Sequence, residues 1–138
     1  METEVLHYYV LIFPHGKTDV NKLQFKYKSL NLEHYTQEEL LVEVESLDPV
    51  RDMLVVRSFK NAEKAREYYQ LIIINAVLND IRHLVPNHFV ISAGNYANFL
   101  KNKDEGKYVT FFQRKLFTQL VLFSQLSIIS GKCLYSSS

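Results

Sequence analysis

The order of its hydrophobic patterns most constrains what this chain can fold into. The run HYYVLIF, from His7 to Phe13, is continuously apolar and aromatic, and Pro14 and Gly16 close it. Such a run is typical of a central strand that is buried on both faces. The patterns that follow read, in order, as helix, strand, strand, helix and strand.

The first helix is predicted from Asp19 to about Leu30. Thr18 is the expected N-cap and Asn31 the expected stop, because both residue types are common at helix ends. One face of this helix is apolar at helical spacing. Its residues are Val20, Leu23, Tyr27 and Leu30.

The next two strands form a predicted hairpin around Asp48-Pro49. The segment from Leu40 to Ser46 alternates, with one side more polar than the other, which indicates a half-exposed strand at a sheet edge. The less polar side carries Leu40, Val42 and Val44; the other carries Leu41, Glu43 and Glu45. Met53 to Ser58 is the returning strand.

The second helix has the clearest local pattern. Asn61 is a good N-cap, and an apolar stripe follows it at helical spacing. The stripe consists of Ala65, Tyr68, Tyr69, Ile72 and Ala76. A loop then leads to a fourth strand, His88 to Ser92.

Two further helices are expected after the fourth strand. The first runs from Ser92 to about Leu100, and Asp104 caps the second. Their inward residues are predicted to be Tyr96, Phe99 and Leu100 in the first, and Tyr108, Phe111 and Phe112 in the second. Residues 118–138 form an apolar and then Ser-rich tail of uncertain structure, whose apolar run is too short to span a membrane.

These patterns predict one α+β domain over residues 1–117. The expected fold is a ferredoxin-like βαββαβ sandwich, with a four-stranded antiparallel sheet and two helices on one face. The extra C-terminal helices are expected to cover the other face or an edge. The length of 138 residues suits a single domain of this size.

Composition argues against several classes of function. The formal net charge is +1 and no block of basic residues appears, which disfavours nucleic-acid binding. The single cysteine, Cys133, excludes an internal disulfide and a cysteine-based zinc cluster. The first residues do not form a signal peptide, so the chain is expected to be either cytoplasmic or a piece of a longer exported protein.

No motif in the chain carries recognisable catalytic chemistry. Gly16-Lys17-Thr18 resembles the end of a phosphate-binding loop, but the glycine such a loop requires five residues earlier is Leu11. Glu43 and Glu45 have a spacing that a glycosidase could use, yet glutamates on the outer side of an alternating strand are usually just solvated. We therefore expect no catalytic residue, no metal site and no cofactor.

Three stretches of the sequence resemble a known family. They are HYYVLIFPHGKTDVNKL, LVVRSFKNAEKAREYYQLI and HFVISAGNYANFLKNKDEGKYVTFF. The likeness extends over roughly residues 7 to 112, and the hairpin region is its loosest part. In their order they resemble the C-terminal domain of the tetratricopeptide lipoprotein of the type IX secretion and gliding machinery, the PorW/SprE family. Three departures from the family pattern are that these 138 residues show no lipoprotein signal, no tetratricopeptide array and an unfamiliar tail from about Lys115 onward. We therefore expect an isolated domain, a truncated relative or a fragment.

The resemblance implies a non-enzymatic role at the periplasmic side of the outer membrane. The implied partners are other protein components of the secretion machinery. If the domain binds a partner, the exposed strand edge at Leu41, Glu43 and Glu45, with Arg57 of the neighbouring strand, could accept an added strand. An ordinary solvated strand is the alternative interpretation of the same residues. A small-molecule-sensing regulatory domain and a peptidoglycan-binding envelope domain of similar topology remain as alternatives.

Overall fold

A computed structural model describes residues 5–116, and the predicted tail of residues 118–138 lies outside this range. The elements that it contains follow the predicted order, with a short 3₁₀ helix before the last strand. In chain order they are β1 (His7–Pro14), α1 (Val20–His34), β2 (Leu41–Asp48), β3 (Arg51–Phe59), α2 (Ala62–Ile74), the 3₁₀ helix (Asn79–Leu84), β4 (Asn87–Ser92), α3 (Ala93–Asn102) and α4 (residues 105–116). Within residues 5–116, no helix has the length and apolar character needed to cross a membrane.

The strands form one four-stranded sheet in the order β2-β3-β1-β4. Every neighbouring pair is antiparallel. This arrangement confirms the predicted α+β fold of ferredoxin-like type. As the apolar run predicted, β1 lies in the middle of the sheet and is buried from Tyr9 to Phe13. The predicted position of β2 at a sheet edge is also confirmed.

Aromatic side chains join α1 and α2 to one face of the sheet. The ring of Tyr9 on β1 packs against Tyr27 of α1 at 5.7 Å and against Tyr68 of α2 at 5.4 Å. The buried hydroxyl groups are hydrogen-bonded, which avoids the cost of burying an unpaired polar group. The Tyr9 hydroxyl lies 2.7 Å from that of Tyr27 and 3.0 Å from Nδ1 of His88, and Tyr68 donates to Asn31.

The opposite face of the sheet is covered by α3. Because side chains alternate along a strand, Tyr8 faces away from Tyr9. Its ring lies 5.1 Å from that of Tyr96 on α3. Phe99, also on α3, packs edge-to-face against Phe89 of β4. The two C-terminal helices therefore have different positions, since α3 covers a face of the sheet and α4 does not.

Helix α4 lies beside β4 and connects the two helical layers. Tyr108 packs against Phe99 of α3, and Phe112 packs against Tyr69 of α2. The first residue of α4, Glu105, accepts a hydrogen bond from the side chain of Asn87 at the start of β4. Helix α4 thus flanks the β4 edge of the sheet.

Three predicted helix boundaries are wrong. The N-cap of α1 is Asp19 rather than Thr18, and its side chain accepts from the backbone N–H of Lys22. Asn31 does not stop this helix: it is buried, its amide oxygen accepts from Tyr68, and α1 continues to His34. Ala76 lies beyond the end of α2 and is exposed, because the helix stops at Ile74.

Two side chains predicted to point inward are exposed instead. Leu100 and Phe111 are largely solvent-accessible, whereas Tyr96, Phe99, Tyr108 and Phe112 are buried as predicted. The buried stripe on each of these short helices is narrower than the sequence suggests. It consists of Tyr96 and Phe99 on α3 and of Tyr108 and Phe112 on α4.

Candidate functional site

The structure brings together the four residues predicted to bind a partner. Leu41 of β2 is paired with Arg57 of β3, and Glu43 and Glu45 follow on the same face of β2. This face is the one that α3 covers farther into the sheet. We call these four residues the β2 edge site.

Arg57 is the centre of the β2 edge site. Its Nε and Nη2 atoms both donate to Oε1 of Glu43, at 3.1 and 2.7 Å, and Nη2 lies 3.6 Å from Oε2 of Glu45. The guanidinium carbon is 5.1 Å from the ring centroid of Tyr8 and 5.8 Å from that of Tyr96. One cation therefore orders two carboxylates and lies within cation–π distance of two rings.

Arg57 stays charged and the Tyr96 hydroxyl stays neutral at neutral pH, because the pKa values of both groups are raised. Burial tends to lower the pKa of Arg57, but the hydrogen bond and charge of Glu43 more than offset it, so the pKa lies above its ordinary value. Burial, and then the nearby Glu45 carboxylate, raise the pKa of Tyr96 to about 12. The Tyr96 hydroxyl is thus protonated at neutral pH, and it is buried without a hydrogen-bond partner among the described residues.

The two edges of the sheet differ in their surroundings. The β4 edge is flanked by α4, as described above. Among the described residues, one side chain from another element donates a hydrogen bond to the backbone of β2. It is Gln24, whose amide donates to the carbonyl of Val42 at 3.1 Å. Leu41 at the start of the strand is 52% exposed. Among residues 5–116, strand β2 is therefore the open edge.

The chain around β2 is strongly acidic. Between residues 29 and 50 there is no lysine or arginine, while six residues are acidic. They are Glu33, Glu38, Glu39, Glu43, Glu45 and Asp48. Arg57 pairs with Glu43 and, at 3.6 Å, with Glu45, and Arg51 pairs with Asp48, so two cations face six carboxylates and the net charge along this edge is negative.

We expect Arg57→Lys to lower the free energy of unfolding by about 1 kcal/mol although the charge is kept. An ammonium group cannot reproduce the two hydrogen bonds to Glu43 or the planar contact with Tyr8. Urea unfolding followed by circular dichroism measures the change. Arg82→Lys, at an exposed position of the 3₁₀ helix, is the matched control and should change stability by less than about 0.5 kcal/mol.

The sequence predictions missed Tyr8 and Tyr96 as members of this site. Tyr8 lies in a continuous run of apolar residues, and such a run does not indicate which face of the strand contacts Arg57. The register of β1 on β3 is irregular between His7 and Tyr9, so counting residues along the two strands does not place Tyr8 relative to Arg57. Tyr96 was predicted to be buried, but its position under Arg57 depends on how α3 crosses the sheet.

The other motifs considered do not assemble into a site. Gly16-Lys17-Thr18 forms the turn before α1, where Gly16 has a positive φ of 75° that suits glycine. His15 Nδ1 lies 2.9 Å from the buried carboxylate of Asp52, a contact that ties this turn to β3. In the part of the chain that the structure describes, no three His, Cys, Asp or Glu side chains are grouped so that they could hold a metal ion.

Over the part of the chain that the structure describes, the fold and the β2 edge site define a small antiparallel-sheet domain with one flanked and one open edge. Comparison of the chain with models of known protein families, with curated proteins and with solved structures finds no match in any of the three.

Proposed function

We propose that this chain is a non-catalytic protein-interaction domain that binds an extended segment of a protein partner along β2. The observation that carries the proposal is the difference between the two sheet edges. Helix α4 flanks β4, whereas β2 presents a strand edge with an exposed Leu41 and an ordered Arg57–Glu43 pair. An extended segment can add to such an edge through main-chain hydrogen bonds, and its side chains then supply specificity.

The charge around β2 indicates what kind of segment fits. A strand added beside β2 would place alternate side chains next to Glu43 and Glu45, with Glu38 and Glu39 just before the strand. Basic side chains at those positions are attracted, and acidic ones are repelled. We therefore propose a partner segment with lysine or arginine at alternate positions.

The resemblance to the type IX secretion and gliding machinery supports a setting for this domain. On that basis the partners are other protein components of the machinery, at the periplasmic side of the outer membrane. Several of the matching residues, including Tyr9, Tyr68 and Phe99, are buried in the core. The resemblance thus bears on the shared fold more than on the β2 edge site.

A pull-down with a charge-reversed variant tests the proposal. The full chain is immobilised and exposed to envelope extract from a bacterium that uses type IX secretion, and bound proteins are quantified by mass spectrometry. We expect Glu45→Lys to reduce capture of a secretion component about tenfold, because like charges then face the partner. Glu63→Lys, the same reversal at an exposed position of α2, should retain capture.

The possible outcomes separate the two parts of the proposal. Failure of the unmodified chain to enrich any secretion component contradicts the secretion setting. Equal capture by Glu45→Lys and the unmodified chain contradicts the β2 edge as the binding surface. In that case Glu43 and Glu45 serve only to discourage unwanted strand pairing, as charges on edge strands commonly do.

A further inference from the structure

A second surface feature lies at the other side of the sheet, away from β2. It is a cavity of about 210 Å³ bounded by the ends of β1 and β4, the start of α2 and the exposed side of α4. We call it the α4 cavity. The pairing of β1 and β4 places His7 opposite Ser92 at its rim.

The polar lining of the α4 cavity is basic. His7, Arg66 and Lys115 all line it, and none of its described lining residues is acidic. Neither Arg66 nor Lys115 forms an ion pair within residues 5–116. Arg66 and Lys115 both lie near His7: burial, the largest cause, and then the charges of these two residues lower the pKa of His7 against the opposing hydrogen bond to the Val5 carbonyl.

The remaining lining of the α4 cavity is largely apolar. Ile91, Tyr108 and Phe112 form its floor and are held in place by the core, and Phe111, which is 52% exposed, supplies accessible apolar surface. A cavity of about 150 Å³ with apolar walls is large enough to take benzene. The α4 cavity therefore has room for one aromatic ring together with a small charged group.

We propose that the α4 cavity binds the carboxylate of a small apolar acid. Arg66 and Lys115 hold the carboxylate, and the apolar body of the ligand contacts Ile91, Tyr108 and Phe112. An anion without an apolar body would leave the exposed ring of Phe111 uncovered, and a neutral apolar molecule would leave Arg66 and Lys115 without a counter-charge from residues 5–116. The same chemistry is present in a free aromatic acid and in the C-terminal residue of a peptide that ends in phenylalanine.

The α4 cavity is separate from the β2 edge site, and ligand binding there does not require docking at β2. The α4 cavity borders β4, and the β2 edge site lies at the opposite edge of the four-stranded sheet. A ligand that contacts α4, β4 and α2 together would stabilise the packing of α4 against the sheet. Such a domain would respond to a small acid and dock a partner at separate surfaces.

Calorimetric titration of the full chain with sodium phenylacetate tests the proposal. We expect saturable binding of phenylacetate, and binding at least about tenfold weaker for 2-phenylethanol, which lacks the carboxylate, and for inorganic phosphate, which lacks the ring. The peptide Ala-Ala-Phe is titrated with a free and with an amidated C-terminus. Binding of the free form alone identifies a peptide C-terminus as a source of the carboxylate, and failure of both peptides identifies the free acid.

Single substitutions locate the site. Arg66→Gln and Lys115→Gln should each weaken phenylacetate binding about tenfold, because each removes a charged contact with the carboxylate. Lys64→Gln removes a cation two residues earlier on α2, outside the cavity, and should change the affinity by less than about twofold. A circular dichroism melt confirms that each variant is folded.

Several results would overturn the proposal. They are absence of phenylacetate binding at millimolar concentration, equal affinity for phenylacetate and 2-phenylethanol, and equal effects of Arg66→Gln and Lys64→Gln. Since the pull-down depends on Glu45 and this titration on Arg66, failure of one proposal leaves the other to be judged on its own result.

Discussion

Replacement of Phe99 by alanine is expected to lower the free energy of unfolding by about 3–5 kcal/mol. Phe99 has no exposed surface, and its ring packs against Phe89 of β4, Tyr96 of its own helix and Tyr108 of α4. Removing the ring leaves a cavity where the sheet, α3 and α4 meet. Because small domains are stable by only about 5–15 kcal/mol, this one change removes a large part of the total.

Urea unfolding measures the loss, and hydrogen exchange shows where it acts. Amide protection in α4 should fall more than protection in α1, since Tyr108 of α4 packs directly against the ring of Phe99. Phe25→Ala on α1 is the matched control: this phenylalanine is 69% exposed, and its loss should cost less than about 0.5 kcal/mol. A Phe99→Ala variant as stable as Phe25→Ala would contradict the central role given to this ring.

The stability of the domain is expected to fall as the pH is lowered from 6.5 to 4. Burial lowers the pKa of His88 from 6.5 to about 4. The unfolded chain therefore takes up a proton in this range that the folded chain does not, and protonation favours the unfolded state. Linkage gives a loss of about 2 kcal/mol at pH 5 and about 3 kcal/mol at pH 4, relative to neutral pH.

The surroundings of His88 explain why its neutral form is preferred. The imidazole stacks on Tyr69 at 4.4 Å, and its Nδ1 atom lies 3.0 Å from the Tyr9 hydroxyl. Asp48 and Asp80 have pKa values lowered by their hydrogen bonds to Arg51 and Lys26, so the stability they contribute begins to be lost at the acidic end of this window and is lost mainly below it.

Urea unfolding at several pH values measures this effect. His88→Gln should flatten most of the slope between pH 6.5 and 4, leaving the smaller contribution of His7, whose pKa burial also lowers. His83→Gln removes an exposed imidazole and is the matched control, which should follow the profile of the unmodified chain. An unchanged slope in His88→Gln would show that the buried imidazole is not its source.

The sequence carries most of the information about the sheet. The buried run of β1, the alternation of β2 and the capping of α2 by Asn61 are local patterns, and each is found where it was predicted. The end of α1 was not predictable in the same way. Asn31 is common at helix ends, but here a tertiary hydrogen bond from Tyr68 gives it a buried place inside the helix.

The β2 edge site was predictable in part. The alternation put Glu43 and Glu45 on one side of an edge strand, and the hairpin put Arg57 beside them. The rings of Tyr8 and Tyr96 belong to β1 and α3, and their positions beside Arg57 depend on how those elements pack. The α4 cavity left no sequence signal at all, because His7, Arg66 and Lys115 are more than a hundred residues apart at the extremes and occur in three different elements.

The position of α4 also limits how copies of this domain can associate. A sheet with one open edge can pair with a second copy only once, β2 against β2, which gives a closed dimer of two-fold symmetry. If α4 left the β4 edge, each copy would have two open edges, and β4 of one copy could add to β2 of the next without end. By covering the β4 edge, α4 therefore limits strand pairing between copies to a closed dimer and prevents open-ended addition into a fibre.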